Sequence, residues 1–177
     1  MKVIIVVPTI RENCITEFLE TWKDQFKNYT VIVVEDNPEK TFNIKYNNVI
    51  HYCWVDIDNE LGENSWIIPR RTDCVRSFGY YKAYKMGADV IITLDDDCFP
   101  INDTFIETHL SRLQHGNENA WESSVENIIP RGVPYYNLSR RNNCMLNHGL
   151  WNGVSDYDAV TQLVVERVKT EPVWIDK

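Results

Sequence analysis

The stretch Ala88-Asp89-Val90-Ile91-Ile92-Thr93-Leu94-Asp95-Asp96-Asp97-Cys98-Phe99 constrains the chain most, because an apolar run that stops abruptly at three carboxylates allows few folds. Val90 to Leu94 is apolar without polar alternation, which is how a central parallel strand covered on both faces reads. Three adjacent carboxylates repel one another unless a cation or hydrogen-bond donors compensate them. In an extended segment side chains alternate, so Asp95 and Asp97 are expected on one side and Asp96 on the other. Paired oxygen ligands suit Mg²⁺ or Mn²⁺, hard ions that keep waters and take further ligands from phosphates. A solvated acidic turn, with Asp97 capping a helix, is the competing reading.

Other segments take positions around this one. Val3 to Val7 reads as a second buried strand, expected to end at Pro8-Thr9-Ile10-Arg11 because proline cannot continue a central ladder. Ile15, Phe18, Leu19, Trp22 and Phe26 form one stripe of an amphipathic helix. Thr30 to Val34 is the next strand, closed by Glu35-Asp36-Asn37-Pro38, which completes a βαβ unit. Asp36 then shares the carboxyl edge of the sheet with Thr9 and the triplet, where doubly wound sheets bind ligands. It reads either as an acceptor for a ribose or base or as a turn residue before Pro38.

Val49 to Val55 reads as a short strand and Asp56 to Ser65 as a surface loop. Arg70 to Met86 reads as a helix with Thr72 or Asp73 as N-cap and Gly87 as C-cap. Arg71 and Arg76 flank its start, either as solvated arginines or with one of them reaching a diphosphate at the helix N-terminus. Ile106, Leu110 and Leu113 recur at helical spacing between a cap at Asn102 or Asp103 and a stop at Gly116. His109 and His115 are expected to face solvent. Residues 117–124 read as a polar connection, Glu126 to Ile129 and Cys144 to Leu146 as strands, Pro130 to Tyr136 as a constrained loop, and Ala159 to Arg167 as a short helix.

Bulk properties exclude several classes. A length of 177 residues favours one domain over 1–177. A net charge of −8 with dispersed basic residues argues against a nucleic-acid surface. The five cysteines are odd in number and contain no C-x-x-C pair, which suits reduced thiols in a cytoplasmic setting. The start is apolar for only a few residues before Pro8, so neither a signal peptide nor a membrane span is expected. No G-x-x-x-x-G-K-[ST], G-x-G-x-x-G or G-x-S-x-G occurs.

What remains is an edge that gathers Thr9, Arg11, Asp36, Asp95 and Asp97, with Arg71 or Arg76 nearby. A nucleoside diphosphate requires such a set: an acceptor for ribose, a metal for the phosphates and a fixed positive group.

The chain resembles the reversibly glycosylated polypeptides, which include the UDP-arabinopyranose mutases. The resemblance rests on Val7-Pro8-Thr9-Ile10-Arg11, Val34-Glu35-Asp36 with Pro38 and Lys40, and Asp73-Cys74-Val75-Arg76-Ser77-Phe78-Gly79-Tyr80. It continues through Leu94 to Phe99, Arg131-Gly132-Val133-Pro134, His148-Gly149-Leu150-Trp151 and Asp156 to Leu163. It implies an α/β fold of the GT-A type, a Rossmann-like, mostly parallel sheet flanked by helices, with a C-terminal part shorter than in the family. It also implies a UDP-sugar substrate, Mn²⁺ or Mg²⁺ at Asp95 and Asp97, and reversible self-glycosylation of an arginine that falls on Arg131.

The implied site has Arg131 and Asp97 as catalytic residues and Thr9, Arg11, Asp36, Arg71, Asp73, Arg76, Asp95 and Asp96 as nucleotide-sugar contacts. A guanidinium stays protonated and is a poor nucleophile, so Arg131 reads equally as a phosphate or backbone clamp.

Family members continue past the point matching Ile175-Asp176, and residues 137–143 differ in length from the family pattern. A non-catalytic UDP-sugar-binding or assembly subunit is therefore the alternative, with His148 either a substitute ligand or structural. Aromatic residues near the C-terminal end allow a homo- or hetero-oligomer. A phospho-acceptor signalling domain fits poorly, because Val7 runs into Pro-Thr instead of presenting an acceptor aspartate.

Overall fold

A computed structural model describes residues 1–100, 102–115, 120–123, 153–154, 169–170 and 173–176. The chain divides into two compact units, Met1–Phe105 and Ile106–Lys177. The first unit holds a four-stranded parallel sheet built from β1 (Val3–Thr9), β2 (Thr30–Glu35), β3 (Val49–Tyr52) and β4 (Val90–Thr93) in the order β3-β2-β1-β4. That order is Rossmann-like. Its direction of progression reverses between β1 and β4, which opens a crevice at their carboxyl ends.

Strands β1 and β2 are the middle pair and are almost wholly buried, which is why both read as continuous apolar runs. Ile4, Val6, Ile32 and Val34 join Ile57, Ile68, Val75, Phe78 and Ala83 in one core cluster. The alternate residues of β1 and β2 turn to the opposite face. Helix α1 (Glu12–Phe26) buries Ile15, Phe18, Leu19, Trp22 and Phe26, the stripe expected from their spacing. Each such side chain contributes about 1.5–3 kcal/mol by leaving water. The Trp22 indole stacks on Phe26 with centroids 5.0 Å apart, and its Nε1 donates to the Cys98 carbonyl at 2.8 Å. The helix thereby ties down the loop that carries the acidic triplet.

Several local expectations give way. Strand β1 runs through Pro8 to Thr9, because the ladder there uses the Thr9 carbonyl, which accepts from Asp36 N at 2.8 Å, and asks nothing of the missing proline N–H. Strand β4 is not central among the described residues. Among them it pairs with β1 alone and shows alternating exposure, with Ile91 38% exposed. Strand β3 stops at Tyr52, and the expected loop from Asp56 to Ser65 is instead helix α2 (Trp54–Leu61) followed by a 3₁₀ turn over Gly62–Ile67. The cause is a cap that the polar composition hid: Cys53 N donates to Asp56 Oδ2 at 2.7 Å, and Ile57 is driven into the core.

The helix expected from Arg70 begins later. Thr72 caps a short 3₁₀ turn over Asp73–Val75, accepting from Cys74 N, and α3 (Arg76–Lys85) follows. It stops before Gly87, whose φ of +73° suits glycine. Asn102 Oδ1 accepts from Thr104 N ahead of α4 (Phe105–His115), where Ile106 is buried and Leu110 and Leu113 are half-buried.

In the second unit β5 (Ala120–Ser123) pairs antiparallel with β8 (Val173–Asp176), and β6 (Gly153–Val154) with β7 (Lys169–Thr170). Strand β5 falls where a polar connection was expected. Glu126 to Ile129, the Pro130 to Tyr136 loop, Cys144 to Leu146 and the helix over Ala159 to Arg167 lie outside the described residues. Among the described residues no helix is long and apolar enough to cross a membrane. Cys14, Cys53, Cys74 and Cys98 are free thiols.

Candidate functional site

Strand order brings Thr9, at the end of β1, against the loop after β4. Thr9 is buried, and its Oγ1 donates to Asp96 Oδ2 at 2.7 Å while accepting from Arg11 N at 3.3 Å. Arg11 reaches the same carboxylate, with Nη2 2.6 Å from Asp96 Oδ1, and extends to Asp97 Oδ2 at 3.4 Å. The hydrogen bond to Asp96 holds the Arg11 guanidinium above its ordinary pKa. Asp96 is thus the inward member of the triplet and serves as a strut between the two strand ends.

Asp95 and Asp97 are the more exposed members of the triplet. An oxygen of each and the Cys98 sulfur lie within 4.8 Å of one another. A turn closed by Cys98 N donating to Asp95 O at 3.1 Å, not an extended strand, produces this separation of the triplet. Arg76, at the first position of α3, places Nη2 2.5 Å from Asp95 Oδ1. Burial pulls the Arg76 pKa down, and the hydrogen bond and charge of Asp95 more than restore it. Burial pushes the Cys98 thiol up, so it stays protonated at neutral pH. The groups that could hold a hard divalent ion here are the Asp95 and Asp97 carboxylates, whose oxygen chemistry and mutual closeness suit one.

The third strand end contributes Asp36, which is buried. Its Oδ1 accepts from the Trp54 indole Nε1 at 2.7 Å and from Arg71 N at 3.0 Å. Arg71 adopts φ +58°, a left-handed conformation uncommon outside glycine, which aims that N–H at the carboxylate. Its guanidinium lies 6.0 Å from the centre of the Trp54 ring. Among the described residues nothing donates to Asp36 Oδ2.

Beside it Glu35 is fully buried and accepts from Asn37 Nδ2 at 2.8 Å, Thr41 N at 3.0 Å and Thr41 Oγ1 at 2.5 Å. Burial alone would raise the Glu35 pKa, but these donors hold it below the usual glutamate value. His51 Nε2 lies 2.7 Å from Glu35 Oε2 without hydrogen-bond alignment. Burial lowers the His51 pKa more than the carboxylate raises it, so the imidazole is neutral near pH 7.

Of the residues proposed from sequence, Thr9, Arg11, Asp96 and Asp97 form one hydrogen-bonded group that continues along the chain to the Asp95–Arg76 pair, while Asp36 and the Arg71 backbone form an adjoining one. The Thr9 carbonyl and Asp36 N join the two groups. Asp73 is exposed and meets this group only through its backbone carbonyl, which accepts from Arg76 Nε at 3.3 Å. Arg131 and His148 lie outside the described residues.

Trp54 and Glu35 were missed as site residues. Trp54 was hidden by reading Val49 to Val55 as one strand, although a half-buried indole needs a partner for its N–H and an aspartate is a natural one. Glu35 was quoted only as part of a motif, although a charge in an otherwise apolar buried run signals a structured acceptor.

Sheet order, flanking helices and an acidic, arginine-lined carboxyl edge define an α/β protein of the Rossmann-like class with its polar cluster at the strand reversal. The model of the family "Reversibly glycosylated polypeptide" matches residues 1–176, and the chain belongs to this family. It is 33% identical over 173 residues to UDP-arabinopyranose mutase 3 of Arabidopsis thaliana, covering 90% of this chain and 46% of that protein. Probable UDP-arabinopyranose mutase 1 of Zea mays is 31% identical over 180 residues, covering 94% of this chain and 48% of that protein. UDP-arabinopyranose mutase 1 of Oryza sativa subsp. japonica is 30% identical over 176 residues, covering 92% and 47%. The chain spans about half the length of these curated relatives.

Proposed function

We propose that the chain binds a UDP-sugar at the carboxyl edge of β1, β2 and β4 and acts as a UDP-sugar mutase or transferase of the GT-A type. The observation that carries this reading is the joining of Thr9, Asp36 and the Asp95-Asp96-Asp97 turn at the strand reversal, flanked by Arg11 and Arg76.

In this reading Asp36 Oδ2 accepts from the ribose or base. Asp96 fixes Thr9 and Arg11, and the Arg11 and Arg76 guanidiniums exchange their carboxylate partners for phosphate oxygens. Asp95 and Asp97 would hold Mn²⁺ or Mg²⁺, which neutralises charge on a diphosphate. Arg131, as the sugar acceptor with UDP leaving, and Asp97 are the proposed catalytic residues. Residues 1–177 acting as one nucleotide-sugar domain, a cytoplasmic setting and self-association belong to the same proposal.

The test is intact-mass analysis with a UDP-sugar panel, with and without Mn²⁺, alongside thermal shift with UDP. The expected result is metal-dependent stabilisation by UDP and a gain of one sugar that Arg131→Lys abolishes. Stabilisation without adduct or sugar conversion would assign binding without turnover. No stabilisation by any uridine nucleotide would refute the site.

A further inference from the structure

Glu35 touches none of the groups assigned to the ligand, yet it is the most completely enclosed charged side chain at this edge. A buried carboxylate costs several kcal/mol of lost hydration unless donors surround it, and here they come from a single loop. Asn37 Nδ2, Thr41 N and Thr41 Oγ1 converge on Oε1 and Phe42 N on Oε2 at 3.4 Å, folding residues 37–42 back over the end of β2.

The folded loop in turn receives the next helix. Trp54 N donates to Asn37 O at 3.0 Å and Val55 N to Pro38 O at 3.3 Å, which places the first turn of α2. Trp54 is the first residue of that helix, and its indole is the donor that orients Asp36. Strand alternation turns Glu35 away from its neighbour. An acceptor on one side of β2 therefore sets, through the loop and helix, the direction of the acceptor on the other.

We propose that Glu35 is the positioning residue for the nucleoside end of the site. By organising the 37–42 loop it fixes Trp54, and through Trp54 it fixes Asp36 with Oδ2 presented to a ribose hydroxyl or base N–H. The inference rests on the nucleotide-binding reading above and assigns Glu35 no contact with the ligand.

The test uses the full chain and UDP with Mn²⁺, read by calorimetry. Glu35→Gln keeps size but turns an amide NH₂ toward N–H and O–H donors, and weakens UDP binding by roughly tenfold, the scale of losing a supporting residue behind a ligand contact. Thr41→Val removes one donor and gives a smaller loss, Thr41→Ser restores affinity, and these two decide the matter if Glu35→Gln does not fold.

A double-mutant cycle separates positioning from general stability. In an Asp36→Asn background, Thr41→Val produces no further loss if Glu35 acts through Asp36. Unchanged UDP affinity in Thr41→Val, no restoration by Thr41→Ser, or additive losses in the cycle would overturn the proposal while leaving UDP binding by the parent chain intact. Failure of the parent chain to bind UDP would instead remove the nucleotide reading itself, and this inference with it.

Discussion

Replacing Gly79 with alanine sets two known effects against each other, and the structure says which prevails. Gly79 lies inside α3, where glycine costs about 1 kcal/mol relative to alanine, so propensity alone favours the substitution. A Cβ built there, however, would stand 2.4 Å from Val6 Cγ1 and 3.2 Å from Val34 Cγ2. Both valines are fully buried in the two central strands, so neither has open space into which to turn. Overpacking of this kind costs about 1–3 kcal/mol, and a 2.4 Å approach falls toward the upper end.

The net effect of Gly79→Ala is therefore a destabilisation of about 1–2 kcal/mol, which lowers Tm by about 2–8 °C in a chain of this size. Relief must come from α3 moving off the sheet, and α3 carries Arg76 one turn earlier, so the Arg76–Asp95 contact loosens with it. Differential scanning calorimetry measures the shift. Val6→Ala removes the obstructing methyl groups, so the double variant is less destabilised than the sum of the singles by about 1 kcal/mol. A Gly79→Ala protein that melts higher than the parent, or a double variant that is simply additive, refutes this account of how the helix is seated.

Asp96→Asn keeps the shape of the strut but removes its charge. Thr9 can rotate to stay bonded, while Arg11 loses a charge-assisted partner, and because the Arg11 side chain is 52% exposed the expected loss is only about 1 kcal/mol. Urea unfolding checks it, and a loss of more than about 3 kcal/mol would mean that Asp96 has a second role. His51 gives the pH dependence its sign. Its folded pKa lies below the ordinary 6.5, so the unfolded chain takes up the proton first, and the stability of neutral His51 is present above pH 6.5 and is lost as pH falls from there through the lower folded pKa. Glu35, with a folded pKa below its ordinary 4.5, adds a second loss as pH falls below 4.5. Melting curves from pH 7.5 to 5 are expected to show a shallower slope in His51→Gln, and identical slopes would sink the assignment.

The sequence made some of this legible because one physical effect dominated at each point. In β1, β2 and α1, burial decides, and burial writes itself into spacing, so the apolar runs and the Ile15–Phe26 stripe could be read directly. Expectations gave way where a few hydrogen bonds outweighed composition. The Cys53–Asp56 cap turned an apparently polar loop into α2, and that one misreading concealed Trp54 and the reason Asp36 is oriented. Strand β4 reads as central from its apolar run, yet among the described residues it pairs with β1 alone and Ile91 is half-exposed, since a run of β-branched residues reports strand propensity as much as coverage. Alternation expected Asp96 opposite Asp95 and Asp97, but the segment is a turn in which Asp96 is buried, its neighbours are more exposed, and Arg11 bonds both Asp96 and Asp97. Residues proposed to touch a ligand announce themselves by chemistry, as Asp95 and Asp97 do. Residues that aim those contacts, Glu35 and Trp54, are defined by partners distant in the chain or on other elements, and such partners appear only once the backbone has been folded.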